Sequence, residues 1–167
     1  MLSTKDAEII LEKYKDEIAD APCSKGHHLN IVGGLAIHQK NAGHFARELY
    51  PMDDNLAALA DIHDIGKART YKINYMDGQD GEYSVEYTKP AVDHLVNTIA
   101  MIAEAGFKLE PSELHALQMH HGGWSPFSHS EMTELAVKLH HCDMLAMVKE
   151  TQGRDNLTHG GKKSSSH

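Results

Sequence analysis

An imidazole and a carboxylate stand side by side where an apolar helix should bury leucines. Before and within Ala60-Asp61-Ile62-His63-Asp64-Ile65-Gly66-Lys67, the residues Leu56, Leu59, Ala60 and His63 recur at i, i+3, i+4 and i+7. That spacing is the inward stripe of an amphipathic helix. A buried carboxylate is costly unless it is paired, hydrogen-bonded or bound to a cation, so the chain must supply partners for His63 and Asp64. This pair constrains the fold more than any other stretch.

Other helical patterns carry the same kind of exception. The stripe Ile31, Leu35, His38, Ala42, Phe45 and Leu49 turns His38 inward and leaves His44 on the surface. His94 shares a side with Ala91, Leu95 and Thr98 in a helix that Pro90 opens, since proline suits a first helical turn. A shorter helix from Pro111 turns Leu114 and Leu117 inward and ends at His120-His121. The last long helix starts near Ser130, and its line Met132, Ala136, Leu139, Asp143, Ala146 and Met147 again puts a ligand-capable residue in a core position. Several buried polar exceptions in one small core are hard to satisfy one by one. A shared cation satisfies them together, because imidazole and carboxylate suit Zn, Mn, Fe, Co or Ni.

The remaining patterns complete a mostly helical domain. Ser3 with Asp6 forms a capping box ahead of the face Ala7, Ile10, Leu11, Tyr14 and Ile18, which ends near Ala21-Pro22. Tyr71, Ile73 and Tyr75 alternate, Asp77-Gly78 and Asp80-Gly81 give turns, and Tyr83, Val85 and Tyr87 alternate again, which predicts a β-hairpin. The hairpin reads as a cover on the helices with some lid character, and as a contact through which a homodimer could form. The fold class is all-α: about six helices around one core, with a small hairpin at about 70–88. Residues 1–150 form the domain and 151–167 a flexible polar tail. His27 and His28, in a polar loop, read as solvated first and as pocket rim second.

Composition narrows the function. The 167 residues contain 14 histidines, two cysteines and a formal net charge of −8. That charge argues against an extended nucleic-acid-coating surface but leaves room for a short oligonucleotide or a phosphorylated small molecule. Cys23 and Cys142 lack the spacing of a zinc knuckle or redox pair and read as reduced, apolar residues. The charged N-terminus and the lack of a long apolar run predict a cytoplasmic protein without a membrane segment.

His38, then His63-Asp64, then Asp143 resembles the H…HD…D signature of the HD-domain superfamily, with HDIGK as a frequent form of its centre. The resemblance covers roughly residues 25–150 and implies a compact HD-domain helical bundle. It implies a metal on His38, His63, Asp64 and Asp143, and a second that uses Asp64 as a bridge with His94, His120 and His121. Two cations roughly 3.5–4 Å apart clamp a phosphate and its attacking water. The implied activity is a metal-dependent phosphohydrolase cleaving a nucleotide or a short nucleic-acid or cyclic-nucleotide phosphodiester. It requires one or two divalent ions (Mn, Fe, Ni, Co or Zn, with Mg also suited). Asp64 and Lys67 become catalytic, and Lys67 and Trp124 substrate-binding. Lys67 equally suits closure of a helix C-terminus, and Trp124 either stacks on a base or plugs the domain edge. Asp61 either orients a ligand imidazole or lies on the surface.

The His120-His121-Gly122-Gly123-Trp124 stretch lacks the GYP element of cyclic-di-GMP phosphodiesterases. Together with His140-His141-Cys142-Asp143 it looks more like the HD domains of 3′→5′ exoribonucleases and small phosphohydrolases. Lys67 stands where the HDxxE deoxynucleotidases carry glutamate, which argues against that branch. The alternatives are an HD-type di-iron oxygenase and a non-catalytic nucleotide-binding HD module.

Overall fold

A capping box opens the chain: the Ser3 hydroxyl accepts from the Asp6 N–H while the Asp6 carboxylate accepts from the Ser3 N–H. Helix α1, Thr4–Lys13, follows, and after a break at Tyr14 comes the five-residue α2, Lys15–Ala19. The computed structural model describes residues 1–77, 81–122 and 131–152. Beyond α2 lie α3, Gly34–Leu49; α4, Asp54–Ile62; and the short α5, Lys67–Thr70. The hairpin strands are β1, Tyr71–Tyr75, and β2, Tyr83–Tyr87. Helices α6, His94–Glu104; α7, Pro111–Met119; and α8, Glu134–Gln152, complete the order. Six of the described helices reach nine residues or more, so the fold is compact and mostly α with one small hairpin.

Helix α4 is the hub. Leu56, Leu59, Ala60 and Ile62 are fully buried, and α4 packs against α1, α3 and α8. Alanines and glycine let the backbones approach: Ala42, Ala46, Ala58, Ala116 and Ala136 are all fully buried. A methyl group on Gly43 would run into the Asp61 carboxylate. Asp61 binds Arg47 through two hydrogen bonds, at 2.9 and 2.5 Å, and among the described residues pairs with no imidazole, so it locks α4 to α3 instead of orienting a ligand.

The hairpin pairs antiparallel with Tyr71 opposite Tyr87, Ile73 opposite Val85 and Tyr75 opposite Tyr83. The alternating residues therefore lie on one face. Val85 is buried while Tyr75 and Tyr87 are exposed, a cover anchored at its middle. No helix among the described residues is long and apolar enough to cross a membrane.

Three sequence expectations are corrected. Helix α6 starts at His94, not Pro90, because the Asp93 carboxylate accepts from the Leu95 N–H and caps it there. On α7, Glu113 takes the inward place and Leu114 is exposed. The Glu113 carboxylate is buried because it accepts from the Leu2 N–H, the Asn55 amide and the Glu110 N–H. On α3, Leu49 is exposed, while Gln39 is buried and donates to the Asp61 carbonyl. The turn at 78–80 and the tail from 153 onward lie outside the described residues, and so do Ser130, where the last helix was expected to start, and Trp124.

Candidate metal centre

Helix α4 ends at Ile62, and His63 and Asp64 occupy the tight turn that joins it to α5. That turn is held close to α6: the Gly66 N–H donates to Thr98 Oγ1 at 2.9 Å. A Cβ on Gly66 would collide with the His94 carbonyl and the Thr98 backbone, and would sit 2.7 Å from Thr98 Oγ1. Glycine is thus required where α6 approaches, and this approach brings His94, the first residue of α6, beside Asp64.

His38 arrives from the middle of α3, Asp143 from α8, and His120 and His121 from the end of α7. Past His121 the chain turns at Gly122 (φ +57°), where any Cβ would strike the His140 ring. His140 Nδ1 lies 2.7 Å from the His120 carbonyl and fixes the same segment from α8. Seven side chains named from sequence therefore meet, in two groups that share Asp64. One is His38, His63, Asp64 and Asp143; the other is Asp64, His94, His120 and His121. Within each group the candidate donor atoms all lie within 4.8 Å of one another.

Each oxygen of Asp64 faces one group. Oδ2 lies 3.5 Å from His38 Nε2 and 3.4 Å from His63 Nε2. Oδ1 lies 3.6 Å from His94 Nε2 and 3.5 Å from His120 Nε2. These separations are too long for good hydrogen bonds. They match the edge of a coordination polyhedron, since two donors about 2.1 Å from one tetrahedral cation sit about 3.4 Å apart. Asp143 Oδ1 is 2.9 Å from His38 Nε2 and 3.6 Å from His63 Nε2, and the Nε2 atoms of His94 and His121 are 2.9 Å apart.

The unsatisfied atoms make the same point. Nε2 of His38, His63 and His120 and Oδ1 of Asp64 are buried without a hydrogen-bond partner. His38 Nε2 and Asp143 Oδ1 are close, yet not aligned as donor and acceptor. Orphaned buried polar groups are rare and costly. Here the opposite ring nitrogens are engaged: His63 Nδ1 donates to the Ala60 carbonyl at 2.8 Å, and His120 Nδ1 donates to Leu117. With Nδ1 engaged, Nε2 is the nitrogen that His63 and His120 turn to the shared space, as a metal ligand requires. The residues present fit a divalent cation in each group.

Charge within the centre is divided. Burial pushes the Asp64 carboxyl upward, but Lys67 and His63 overcome this and hold it well below the usual carboxylate range. Lys67, which opens α5 instead of closing α4, places its buried ammonium 2.7 Å from Asp64 Oδ2 and 3.6 Å from Cys23 Sγ. Burial lowers His38 and His63, yet neighbouring carboxylates win. Asp143 and Glu150 take His38 to about 9, and Asp64 and Asp143 take His63 to about 9. His94 and His121 go the other way, mainly through burial, with His120 helping to bring His121 to about 3. Without a cation, the His38–His63 side gathers protons in its place.

Sequence reasoning took Cys23 as an apolar residue, ranked a pocket role for His28 second and passed over Glu150. Cys23, fully buried, touches Lys67, and burial pushes its thiol up to about 12. His28 turns inward beside His38, with ring centroids 5.5 Å apart, while His27 stays exposed. Glu150 is buried against both His38 and His28. Its signal was present: Ala136, Leu139, Asp143, Ala146 and Glu150 continue one stripe on α8, and Glu150 is its next member.

Comparison with curated proteins finds sequence similarity over most of the chain. The chain is 30% identical over 126 residues to the 3′-5′ exoribonuclease YhaM of Bacillus pumilus (strain SAFR-032), covering 68% of this chain and 38% of that protein. It is 30% identical over 127 residues to the 3′-5′ exoribonuclease YhaM of Listeria innocua serovar 6a, and 29% identical over 128 residues to that of Listeria welshimeri serovar 6b, with the same coverage. The chain thus spans well under half the length of the curated relatives it matches. No family model matches, and no solved structure matches.

Proposed function

We propose that residues 1–150 form an HD-type catalytic domain that hydrolyses a nucleic-acid phosphodiester, with the 3′ end of a short oligoribonucleotide as substrate. The observation that carries this reading is Asp64, whose Oδ2, ion-paired to Lys67, faces His38 and His63 and whose Oδ1 faces His94 and His120. The similarity to exoribonucleases supports nucleic acid as the substrate class. The same donor set would serve an oxygenase, and a ligand-only module would also keep it, but the named relatives favour hydrolysis over both.

Divalent cations held by His38, His63, Asp64 and Asp143 and by Asp64, His94, His120 and His121 would supply Lewis-acid polarisation of a phosphoryl oxygen and would lower the pKa of an attacking water. The protein's part is to hold the donors rigidly and to leave one side open. His38, His63, Asp64 and His120 side chains are at most 1% exposed, whereas those of Asp143, His94 and His121 are 14%, 17% and 36% exposed. A phosphate therefore reaches the centre over the Asp143–His94–His121 rim. Lys67 acts from beneath, keeping Asp64 ionised and adding a fixed positive charge behind the phosphate as negative charge develops on it.

The test is hydrolysis of a 5′-labelled oligoribonucleotide by protein loaded with Mn²⁺, Co²⁺ or Ni²⁺. Stepwise shortening is expected, with no activity in Asp64→Ala. Equal behaviour of wild type and variant, or an inert wild type across all three metals and a panel of RNA, DNA and nucleotide esters, overturns the reading.

A further inference from the structure

Glu150 is 4% exposed and lies two turns beyond Asp143 on α8. Its carboxylate oxygens are 3.1 and 3.0 Å from His38 Nδ1, Oε1 accepts from Asn41 Nδ2 at 3.1 Å, and Oε2 is 3.3 Å from His28 Nε2. Among the described residues its ion-pair partners are these two imidazoles, and neither a lysine nor an arginine is in range. A carboxylate buried with no lysine or arginine beside it depends on its imidazole partners to offset the cost of burial. It is accounted for where it stands if it serves an imidazole that serves a cation.

We propose that Glu150 is the positioning residue of the metal centre, holding His38 by Nδ1 so that Nε2 alone faces Asp64 and Asp143. This rests on the metal-site reading above. A carboxylate on the far nitrogen of a ligand histidine fixes its tautomer and ring angle and makes the ligating nitrogen more basic. The other donors have weaker holds: His63 and His120 lean on backbone carbonyls. His38 alone among them has a buried carboxylate behind it.

Glu150 also decides between two sites that compete for one ring. Cys23, His28 and His38 form a third group able to hold a metal. His38 could serve it without leaving the Asp64 group only through Nδ1, and Glu150 occupies that nitrogen. His38 is thereby committed to the Asp64 side, and His28 is left at the edge of the pocket.

The experiment is calorimetric titration of the full chain with Mn²⁺, comparing wild type, Glu150→Gln, Glu150→Asp and, as a control for loss of an acid elsewhere, Glu104→Gln. Gln keeps the shape and one acceptor but removes the charge, and should weaken Mn²⁺ binding about 10–100-fold. Asp keeps the charge and should recover part of that loss; Glu104→Gln should change nothing. Asn41→Ala, which frees Glu150 without removing it, should shift affinity in the same direction if Glu150→Gln folds poorly. Affinity of Glu150→Gln within about twofold of wild type overturns the proposal, as does an equal loss in Glu104→Gln. A wild type that binds Mn²⁺ but cleaves nothing would overturn the hydrolase reading and leave this contrast intact. A wild type that binds no Mn²⁺ overturns both.

Discussion

At the scale of single residues, Asp64 and Lys67 form a buried pair whose balance depends on what else sits in the centre. Removing one member of a buried ion pair costs about 3–5 kcal/mol, because the other charge is left uncompensated. In metal-free protein, Lys67→Met would leave Asp64 to the imidazoles alone. With a cation present, the carboxylate keeps a strong positive neighbour. The melting temperature of Lys67→Met should therefore fall further below wild type in chelator than in Mn²⁺. Equal losses in the two conditions would mean that the cation does not reach Asp64. The stripes that exposed His38 and His63 were readable from sequence because each polar residue interrupted an apolar period. The inward turn of Cys23 and His28 was not fixed by sequence, because their loop has no period. Its shape is set instead by the bond from the Cys23 N–H to the Leu29 carbonyl across the loop and by the long-range contact of Lys67 Nζ with Cys23 Sγ.

Among the elements, the contact of the Gly66 turn with α6 decides whether two groups form or one. Gly66→Ala drives a methyl group into the His94 carbonyl and Thr98, overpacking that typically costs about 1–3 kcal/mol. The strain falls on the start of α6, so His94 should withdraw while His38, His63 and Asp143 stay. Titration of Gly66→Ala with Mn²⁺ should then show one tight site where two are expected of wild type; a variant retaining both would refute the coupling. The hairpin makes a separate prediction. Tyr71 and Tyr87 face each other at 5.3 Å, and Lys25 lies 5.0 Å over the Tyr87 ring. An exposed aromatic ring with a cation above it suits a nucleobase. Tyr87→Ala should raise KM for an oligoribonucleotide while leaving cleavage of a small aryl phosphodiester unchanged, and parallel loss on both substrates would assign the hairpin to structure only. The hairpin was legible because its period of two is strict. The α6 start was not, since proline at 90 and aspartate at 93 both signal a helix opening and the Asp93 cap prevailed.

For the molecule as a whole, the centre makes stability depend on pH in a way that a cation should reverse. His38 and His63, near 9 when folded against about 6.5 when unfolded, hold protons that the unfolded chain releases. Their contribution is fully present below about pH 6.5 and is lost as pH rises through about 9. His121, near 3 when folded, and His94, also lowered, refuse protons that the unfolded chain accepts, so they destabilise the fold progressively as pH falls below about 6.5. Metal-free protein should thus be most stable near pH 6.5 and weaken on both sides. Cation binding displaces the protons on His38 and His63, so the gain in melting temperature on adding Mn²⁺ should grow steadily from pH 6 to pH 8.5. Thermal unfolding across that range, in chelator and in excess Mn²⁺, reads both slopes at once. A gain independent of pH would show that the cation binds away from the histidines that hold the protons, and the centre would have to be sought elsewhere in the fold.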